Sequence, residues 1–287
     1  MTIRSILVPL FGNGADTTAL AAAADVAQRM QAHVTALYCE PDIADLLQPV
    51  PGWEEGGLLT EALVRSLQDH AKALRNAADR QFSNWLNQSG AQFASSPDGA
   101  NAVTAELIMA EGRPASVIRD YAVVADLVVA SLSERSEPNR FGVLEATLFE
   151  SGRPVLGLPA SVPDTIFKAP VAIAWNYSAE AARALSTALP IVRAVGEAVV
   201  LLAGHHEDDA AAGRIVSFLG WHGVKAGATK LGQARRPGEL IAAKVRELGA
   251  GLLVMGAYSH TRAREFVFGG VTSHMLENAP VPVLFAH

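Results

Sequence analysis

Apolar runs and helical repeats alternate along the first forty residues. The run over 3–11 predicts a buried strand, and a glycine-containing turn follows it. Asp16 or Thr17 is predicted to cap a helix that continues over 19–30, and a β-branched run predicts a second strand over 33–38. A strand, a turn, a helix and a strand in this order form the unit that needs a parallel neighbour.

The remainder of the first half is less regular. Residues 41–57 hold several Pro, Gly and Glu residues and are interpreted as a loop or lid. Apolar residues at helical spacing over 59–88 predict a helix that covers a sheet face, in preference to a groove for a cofactor or partner. A shorter helix is predicted over 115–124, and buried parallel strands are predicted over 127–131 and 154–158.

The second half begins the same pattern again. Its predicted helices and strands are more regularly spaced than those of the first half. The strands cover 171–175, 199–203, 224–231, 252–256 and 281–285, and the helices cover 179–195, 210–219, 238–248 and 271–278. Each half therefore predicts an α/β fold, a five-stranded parallel sheet with helices on both faces in a Rossmann-like arrangement.

Short segments of the two halves match each other at nearly constant spacing. Arg113-Pro114-Ala115 matches Arg236-Pro237-Gly238 at an offset of 123, residues 125–131 match 250–256 at 125, and 154–156 match 282–284 at 128. A drift this small is typical of loop insertions within a tandem duplication. We therefore predict two copies of one domain, at 1–160 and 169–287, with the additional length of the first copy at about 41–90.

Composition narrows the class of protein. Half of the 287 residues are hydrophobic, but 51 are alanine and only 6% are aromatic, which favours helices packed closely on flat sheets. The 23 basic and 29 acidic residues give a net charge of −6, so no basic excess indicates a nucleic-acid or anionic-membrane partner. A single cysteine, Cys39, excludes internal disulfides, and neither a long apolar run nor a signal-peptide pattern is present. We expect a cytoplasmic protein.

The candidate ligand site lies in the loops after the first and fourth strands, because parallel sheets bind ligands where the strand order reverses. In the second half, Gly256 ends the fourth strand, and Gly269 and Gly270 stand where the next helix begins. The free N–H groups and the positive dipole end of that helix favour an anion such as phosphate, and Arg262 and Arg264 add positive charge. The alternative is that these glycines only form turns.

This loop resembles the nucleotide-binding signature of the universal stress protein family. The signature is Gly, two residues, Gly, nine residues, Gly and then Ser or Thr. Here Gly256 and Gly269 keep the spacing, whereas Ser259 replaces the second Gly and Gly270 replaces the hydroxyl residue. Residues 277–284 are also similar to the family, and the resemblance covers the second half nearly throughout and the first half more loosely.

The resemblance implies an adenine nucleotide alpha hydrolase-like fold and a site in the second half that would hold ATP, with or without Mg²⁺. Asn176 stands where ATP-binding members have an Asp, and an amide can still bond a ribose hydroxyl or the adenine edge. Ala203 lies near the adenine position, and Thr272 is a candidate for the missing hydroxyl. The nucleotide-binding residues implied by the resemblance are Ala174, Trp175, Asn176, Ala203, Met255, Gly256, Ser259, Arg262, Gly269, Gly270, Val271 and Thr272.

The first half is the weaker candidate for a nucleotide site. Phe11 occupies the position of the family's Asp. The loop after its fourth strand carries Glu134, Glu137 and Glu145, whose charges oppose a triphosphate. We interpret this half as a degenerate copy that supports folding and pairing.

The resemblance also implies how the two halves associate. Members of the family pair through their last strands. Residues 155–158 and 281–285 are therefore expected to pair within one chain, as an internal pseudo-dimer that hides two sheet edges. Two such chains are candidates for a homodimer.

Other chemically active side chains are weaker candidates. The run His205–Asp209 contains metal-ligand types, but adjacent residues seldom converge on one ion, so a solvated loop is favoured. His260 and His274 lie near the glycine loop and are interpreted as surface residues. Cys39 is interpreted as a small buried residue and not as a redox thiol.

Two functional hypotheses of different classes follow. The first is a universal stress response protein that binds ATP in its second half and has at most weak ATPase activity. The alternative is a nucleotide-independent scaffold with an eroded site, whose surface around Trp53 and the 41–57 loop binds a protein or a small apolar ligand. An adenylating or hydrolytic enzyme is less favoured, because the chain lacks a Ser-His-Asp order, a Gly-x-Ser-x-Gly motif and a Walker lysine.

Overall fold

The computed structural model describes residues 2–40, 61–96, 102–132, 146–162, 165–202, 209–232, 235–257 and 270–287. These residues form strands separated by helices. The strands are β1 (Ser5–Leu10), β2 (His33–Glu40), β3 (Gln92–Phe93), β4 (Thr104–Glu111), β5 (Leu127–Ser131), β6 (Val155–Leu158), β7 (Val171–Trp175), β8 (Glu197–Leu202), β9 (Lys225–Lys230), β10 (Leu252–Gly256) and β11 (Val283–Ala286). The helices are α1 (Gly14–Met30), α2 (Glu61–Ser89), α3 (Pro114–Ala122), α4 (Ala179–Val195), α5 (Asp209–Trp221), α6 (Pro237–Leu248) and α7 (Gly270–Asn278), with a π-helical turn at Ala146–Glu150.

All the described strands belong to one 11-stranded sheet, in the order β3-β4-β2-β1-β5-β6-β11-β10-β7-β8-β9. Every neighbouring pair is parallel except β6 and β11. The α/β prediction of parallel sheets in tandem is confirmed. The second half has the five predicted strands, and the first half adds the two-residue strand β3 at its outer edge.

The antiparallel pair of β6 and β11 joins the two halves. Leu156 lies opposite Leu284, and Val155 lies opposite Phe285, all four fully buried. The Leu132 side chain lies close to Gly157, since a Cβ at this position would be 2.8 Å from it and would need that side chain to shift. The prediction that the last strands of the two halves pair within one chain is confirmed.

The sheet is covered on both faces, as strands without polar alternation require. One apolar core lies between the sheet and α1, α2, α4 and α5, and the other between the sheet and α3, α6 and α7. Alanines dominate several of the helix faces that meet the sheet, for example Ala23 and Ala27 on α1 and Ala184 and Ala188 on α4. Small side chains let these helices lie close to the strands.

The linker between the halves is held against α1. The Asp25 carboxylate accepts hydrogen bonds from the Thr165 hydroxyl at 2.7 Å and from the Ile166 N–H at 3.0 Å. The Arg29 guanidinium lies 4.5 Å from the centre of the Phe167 ring, within the range of a cation–π contact. The two halves are therefore tied by the linker as well as by the strand pair.

The start of α1 differs from the prediction. Neither Asp16 nor Thr17 is the N-cap residue of this helix. The helix begins at Gly14, because Asn13 is the N-cap and its side chain accepts a hydrogen bond from the Ala15 N–H at 3.0 Å. Asp16 is instead the third helical residue, and its carboxylate reaches back to the N–H groups that precede the helix. Asn13 and Asp16 together form a capping box. The Asn13 side chain accepts a hydrogen bond from the backbone of the first helical turn, and the Asp16 side chain accepts one from the backbone N–H of Asn13.

The strand β4 was not predicted. Its sequence, Thr-Ala-Glu-Leu-Ile-Met-Ala-Glu, consists mostly of residues with good helix propensity. It nevertheless pairs with β2 over eight residues, from Thr104 opposite His33 to Glu111 opposite Glu40. Tertiary pairing overrides local propensity here, and most residues of β4 are only half-buried because the strand lies near the sheet edge.

No helix in the described part of the chain combines the length and the apolar character needed to span a membrane.

The β6–β11 junction predicts a large difference between two leucine truncations. Leu284→Ala is expected to lower the free energy of unfolding by roughly 2–5 kcal/mol, because it leaves a cavity in a fully buried strand. Leu240→Ala, on the outer side of α6 with 37% exposure, is expected to cost about 1 kcal/mol or less. Urea denaturation followed by circular dichroism measures both. Equal losses of unfolding free energy would show that the buried β6–β11 contact contributes no more to stability than a leucine on the outer side of a helix.

Candidate functional site

The strand order reverses between β7 and β10, and the carboxyl ends of these two strands border one crevice of the second half. Their pairing sets Ala174 beside Met255, so that Trp175 and Gly256 come next at the same edge. Open parallel sheets bind ligands at such reversals. Four of the residues predicted to contact a nucleotide are therefore neighbours in the fold.

The loop after β7 is shaped by its own polar side chains. The exposed Asn176 accepts the Ser178 N–H on its Oδ1 at 3.2 Å, and the Ser178 hydroxyl accepts the Ala181 N–H at 3.1 Å to cap α4. Between them, Tyr177 has a left-handed backbone with φ of 61°. Asn176 thus forms an Asx turn in addition to any contact with a ligand.

An aromatic pair lines the same loop. The rings of Trp175 and Tyr177 meet edge to face, with 5.7 Å between their centroids. Both side chains are half-buried. The indole Nε1 of Trp175 is buried and has no hydrogen-bond partner among the described residues, as is also the case for the indole Nε1 of Trp85 on α2. A buried indole N–H without a partner is uncommon, so a further polar group at this loop would be stabilised by it.

Gly256 is required by packing. A Cβ at this position would lie 2.5 Å from the backbone nitrogen of Ala181 and 2.8 Å from the Cβ of Glu180. The first turn of α4 therefore rests directly on the end of β10. The glycine that aligns with the family signature is explained here by this contact between elements.

Gly270, Val271 and Thr272 form the first turn of α7. Gly270 is exposed, and a Cβ there would meet no atom of the described residues within 4 Å. Val271 is half-buried, and Thr272 is 4% exposed on the inner side of the helix. The next residue, Ser273, has a buried Oγ without a hydrogen-bond partner in the described part of the chain. The hydroxyl groups of Thr272 and Ser273 are therefore both turned away from open solvent.

The remaining predicted contacts lie outside the described residues. These are Ala203, Ser259, Arg262 and Gly269, and the same holds for His260, Trp53 and the 41–57 loop. Ala203 directly follows Leu202, which pairs with Trp175 at the end of β8.

A carboxylate adds negative charge at the β10 side of the crevice. Burial would raise the pKa of Glu180, but hydrogen bonds from its own backbone and from Ser178, with the nearby charges of Arg183 and His287, hold that pKa below its usual range. Its ion pair with Arg183 is 2.9 Å long. Glu180 is thus ionised at neutral pH and repels a phosphate placed directly beside Gly256.

In the first half, the described loop after the equivalent strand, β1, is filled by the chain itself. The Asp16 carboxylate, 1% exposed, accepts the N–H groups of Phe11 at 3.0 Å and Gly12 at 2.7 Å. The backbone of α2 covers the same turn, because a Cβ at Gly12 would lie 2.3 Å from the Leu74 carbonyl oxygen. Gln81 adds a hydrogen bond to the Asn13 carbonyl at 2.7 Å. The Asp16 carboxylate and helix α2 therefore fill the space beside this loop.

Two further side chains considered in the sequence analysis, those of His274 and Cys39, are packed within the fold. The Cβ of His274 lies 2.8 Å from the place a Cβ would occupy at Gly238, so this histidine packs α7 against α6. Cys39 is buried, and burial raises the pKa of its thiol to about 11. In the part of the chain that the structure describes, no three His, Cys, Asp or Glu side chains are grouped as metal ligands.

Comparison with protein families decides the assignment. Residues 2–144 and 170–287 match the model of the universal stress protein family. The chain belongs to this family. The two separate matches show that it is a tandem, two-domain member, as the internal offsets predicted. No match is found among curated proteins.

Solved structures share the fold of this universal stress protein. One from Archaeoglobus fulgidus DSM 4304 has a TM-score of 0.73 at 18% identity, over 99% of this chain and 96% of that one. A functionally unknown protein from Pseudomonas aeruginosa PAO1 has a TM-score of 0.57 at 15% identity, over 99% and 92%. A universal stress protein in complex with cAMP has a TM-score of 0.31 at 17% identity, over 56% and 100%. The likeness to the first two of these structures shows the fold alone, because they are 18% and 15% identical to this chain.

Sequence reasoning missed two residues of the site. Tyr177 follows Asn176 in a left-handed turn, and Glu180 lies against Gly256. A tyrosine before a Ser cap carries no local signal for positive φ, since glycine or asparagine is the usual choice there. The proximity of Glu180 to Gly256 depends on the packing of α4 on β10, which no local pattern encodes.

The packing of α4 on β10 predicts a difference between two glycine substitutions. Gly256→Ala is expected to lower the free energy of unfolding by roughly 1–3 kcal/mol, because the added methyl group meets the α4 backbone. Gly270→Ala, which meets no atom, is expected to change it by less than about 1 kcal/mol. Chemical denaturation of the two variants measures the difference. A neutral Gly256→Ala would show that α4 does not rest on this strand.

The surroundings of Cys39 predict an unreactive thiol. Because its pKa is about 11, only about a thousandth of the thiol is ionised near pH 8, and the side chain is 7% exposed. Reaction with a disulfide reagent is expected to be slow in the native protein and fast in denaturing urea. Rapid reaction in native buffer would overturn the interpretation of Cys39 as a structural residue.

Proposed function

We propose that this universal stress protein binds an adenine nucleotide, such as ATP, in the crevice between β7 and β10 of its second half. The observation that carries the proposal is the pairing of Ala174 with Met255 at the strand-order reversal. It brings Trp175, Asn176 and Gly256 to one edge, where α/β sheets of this type bind nucleotides. The first half, with its crevice closed by Asp16 and α2, is proposed not to bind.

The base and ribose are proposed to lie against the β7 loop. Trp175 offers an aromatic surface for stacking and an indole N–H that has no hydrogen-bond partner among the described residues. The side chain of Asn176 is exposed at the same loop, where its Oδ1 bonds the Ser178 N–H. Small side chains such as Ala174 leave room beside the strand ends. These features suit a flat, weakly polar base with hydrogen-bonding edges.

The phosphates are proposed to lie at the start of α7. Gly270 is exposed there, and the first turn of a helix presents N–H groups and a positive dipole end. The negative charge of Glu180 disfavours phosphate on the opposite side, next to Gly256. Arg262 and Gly269, which lie outside the described residues, are the proposed further contacts. Mg²⁺, where present, would be held by phosphate oxygens.

We propose binding of the nucleotide without dedicated catalysis at this site. Asn176 replaces an acidic side chain with an amide, which is not a general base. Glu180, the carboxylate beside the crevice, is paired with Arg183. Hydrolysis of ATP would therefore be slow, and the bound nucleotide would act as a ligand of a stress response protein.

A nucleotide-independent scaffold is the second candidate. Two observations favour it, since the Oδ1 of Asn176 bonds the backbone of its own turn, and Gly256 is required by the packing of α4. Both features would persist in a protein that had lost its ligand. The two candidates differ in one measurable property, the affinity for ATP.

Equilibrium binding tests the proposal. Purified full-length protein is titrated with ATP, ADP, AMP and GTP by calorimetry and by tryptophan fluorescence, with Trp175→Phe to identify the reporting indole. Adenine nucleotides are expected to bind and to quench Trp175, since this side chain lines the crevice. Absence of binding at millimolar ATP would contradict the proposal and favour the scaffold.

Two matched glycine substitutions locate the phosphate contact. Gly270→Glu places a carboxylate at the first residue of α7 and is expected to weaken ATP binding about tenfold or more through charge repulsion. Gly14→Glu is the control, because Gly14 is also an exposed first helical residue with no atom within 4 Å of a Cβ. It is expected to leave binding unchanged. Equal effects of the two variants would place the phosphates elsewhere.

A further inference from the structure

The helix α5 carries apolar and small residues on its outer side as well as on its inner side. Its inner residues Ala211, Ile215 and Leu219 are buried against the sheet. Its exposed residues after the first position are Ala210, Gly213, Arg214, Ser217, Phe218, Gly220 and Trp221, and the charged residues of the helix are Asp209, at its first position, and Arg214. A helix that is apolar on both sides is normally covered on both sides.

The equivalent helix of the first half has an ordinary polar surface. Like α5, α2 lies on the side of the sheet that α1 and α4 cover, and it connects the second strand of its half to the next. Its exposed residues include Arg65, Asp69, Lys72, Asp79 and Arg80. The two helices fill equivalent places in the duplicated fold, so the apolar outer side of α5 is a specific property of the second half.

Two aromatic side chains dominate the outer side of α5. Trp221 is 89% exposed, and Phe218 is 41% exposed and meets the His222 ring edge to face at 4.7 Å. Tryptophan is rarely left this exposed on a surface without a partner, and it is among the residues that contribute most to binding at protein interfaces.

We propose that the outer side of α5 is the homodimer interface of this protein and that its occupant is α5 of a second copy, packed antiparallel about a two-fold axis beside Ser217. The proposal is independent of nucleotide binding. The helix is bulky at its C-terminal end, with Phe218 and Trp221, and small at its N-terminal end, with Ala210 and Gly213. Antiparallel pairing therefore brings the bulky end of each copy onto the small end of the other.

Antiparallel pairing of the two helices also brings complementary side chains together across the two-fold axis. Trp221 of one copy falls on Gly213 and Arg214 of the second, where the missing Cβ makes room for the indole and the guanidinium can stack on it. Ser217 lies near its own equivalent, and a small residue there allows close approach of the helices. The same surface patch on both copies gives the isologous contact that two-fold dimers use.

The two aromatic side chains supply more than half of the area that a stable dimer needs. With about 150–250 Å² for each aromatic side chain, the exposed parts of Trp221 and Phe218 in two copies supply on the order of 600 Å². A specific interface buries about 1,000 Å² or more in total. The other exposed residues of the two helices therefore need to supply only about 400 Å² more.

The neighbouring sheet edge is unsuited to the same task. Antiparallel pairing of β9 with β9 of a second copy would set Lys225 opposite Lys230. Lysines on an edge strand oppose such pairing. The helix side and not the strand edge is thus the self-complementary surface at this end of the sheet.

Sedimentation of the full-length protein tests the proposal. At high micromolar concentration the wild type is expected to have twice the chain mass of 30.2 kDa. Trp221→Glu is expected to raise the dimer dissociation constant about a hundredfold or more, because it removes the aromatic anchor and adds a repelling charge. Ser83→Glu, on the exposed side of α2, is the control and is expected to leave the dimer intact.

A cysteine pair tests the geometry without removing any contact. Ser217→Cys is expected to form an interchain disulfide in air, since the two copies of this residue meet at the axis and Cys39 is buried. Ser83→Cys is the control and is expected to remain uncrosslinked. A monomeric wild type, a dimer that survives Trp221→Glu, or equal crosslinking of the two cysteine variants would each overturn the proposal.

Discussion

The antiparallel pairing of β6 with β11 is the constraint on which the rest of this molecule depends. All other neighbouring strands described in the sheet are parallel, so each half has its carboxyl strand ends on a single edge. One antiparallel contact reverses the direction between the halves. The carboxyl ends of the first half therefore lie on the edge where the strands of the second half begin. The two crevices consequently face opposite edges of one continuous sheet.

The two crevices show how little sequence change separates an open loop from a closed one. Both loops begin their helix with a polar cap, Asn13 in one and Ser178 in the other. Three residues later the first half has Asp16, whose buried carboxylate bonds the loop N–H groups, and the second half has Ala181. The aromatic pair of Trp175 and Tyr177 takes the space beside the second loop. In the first half, the Asp16 carboxylate thus makes this loop a structural turn.

Much of the fold could be predicted from the sequence, particularly in the second half, where helix α4 matches its predicted bounds. The family and the tandem arrangement were also predictable, because the duplicated segments keep their spacing. Strand β4 could not be predicted, since its Leu, Met, Ala and Glu residues favour a helix and only pairing with β2 makes it extended. The capping role of Asn13 was missed because Asp16 is an equally good cap by type. The reason for Gly256 and the exposure of Trp221 depend on tertiary contacts, which a single sequence does not display.

We propose that one crevice of the duplicated fold binds an adenine nucleotide and that the other does not. Calorimetry with protein of known active concentration gives the number of nucleotides bound per chain. One ATP is expected for each chain of 30.2 kDa. Two per chain would contradict the closure of the first crevice by Asp16 and α2, and none would contradict the site between β7 and β10.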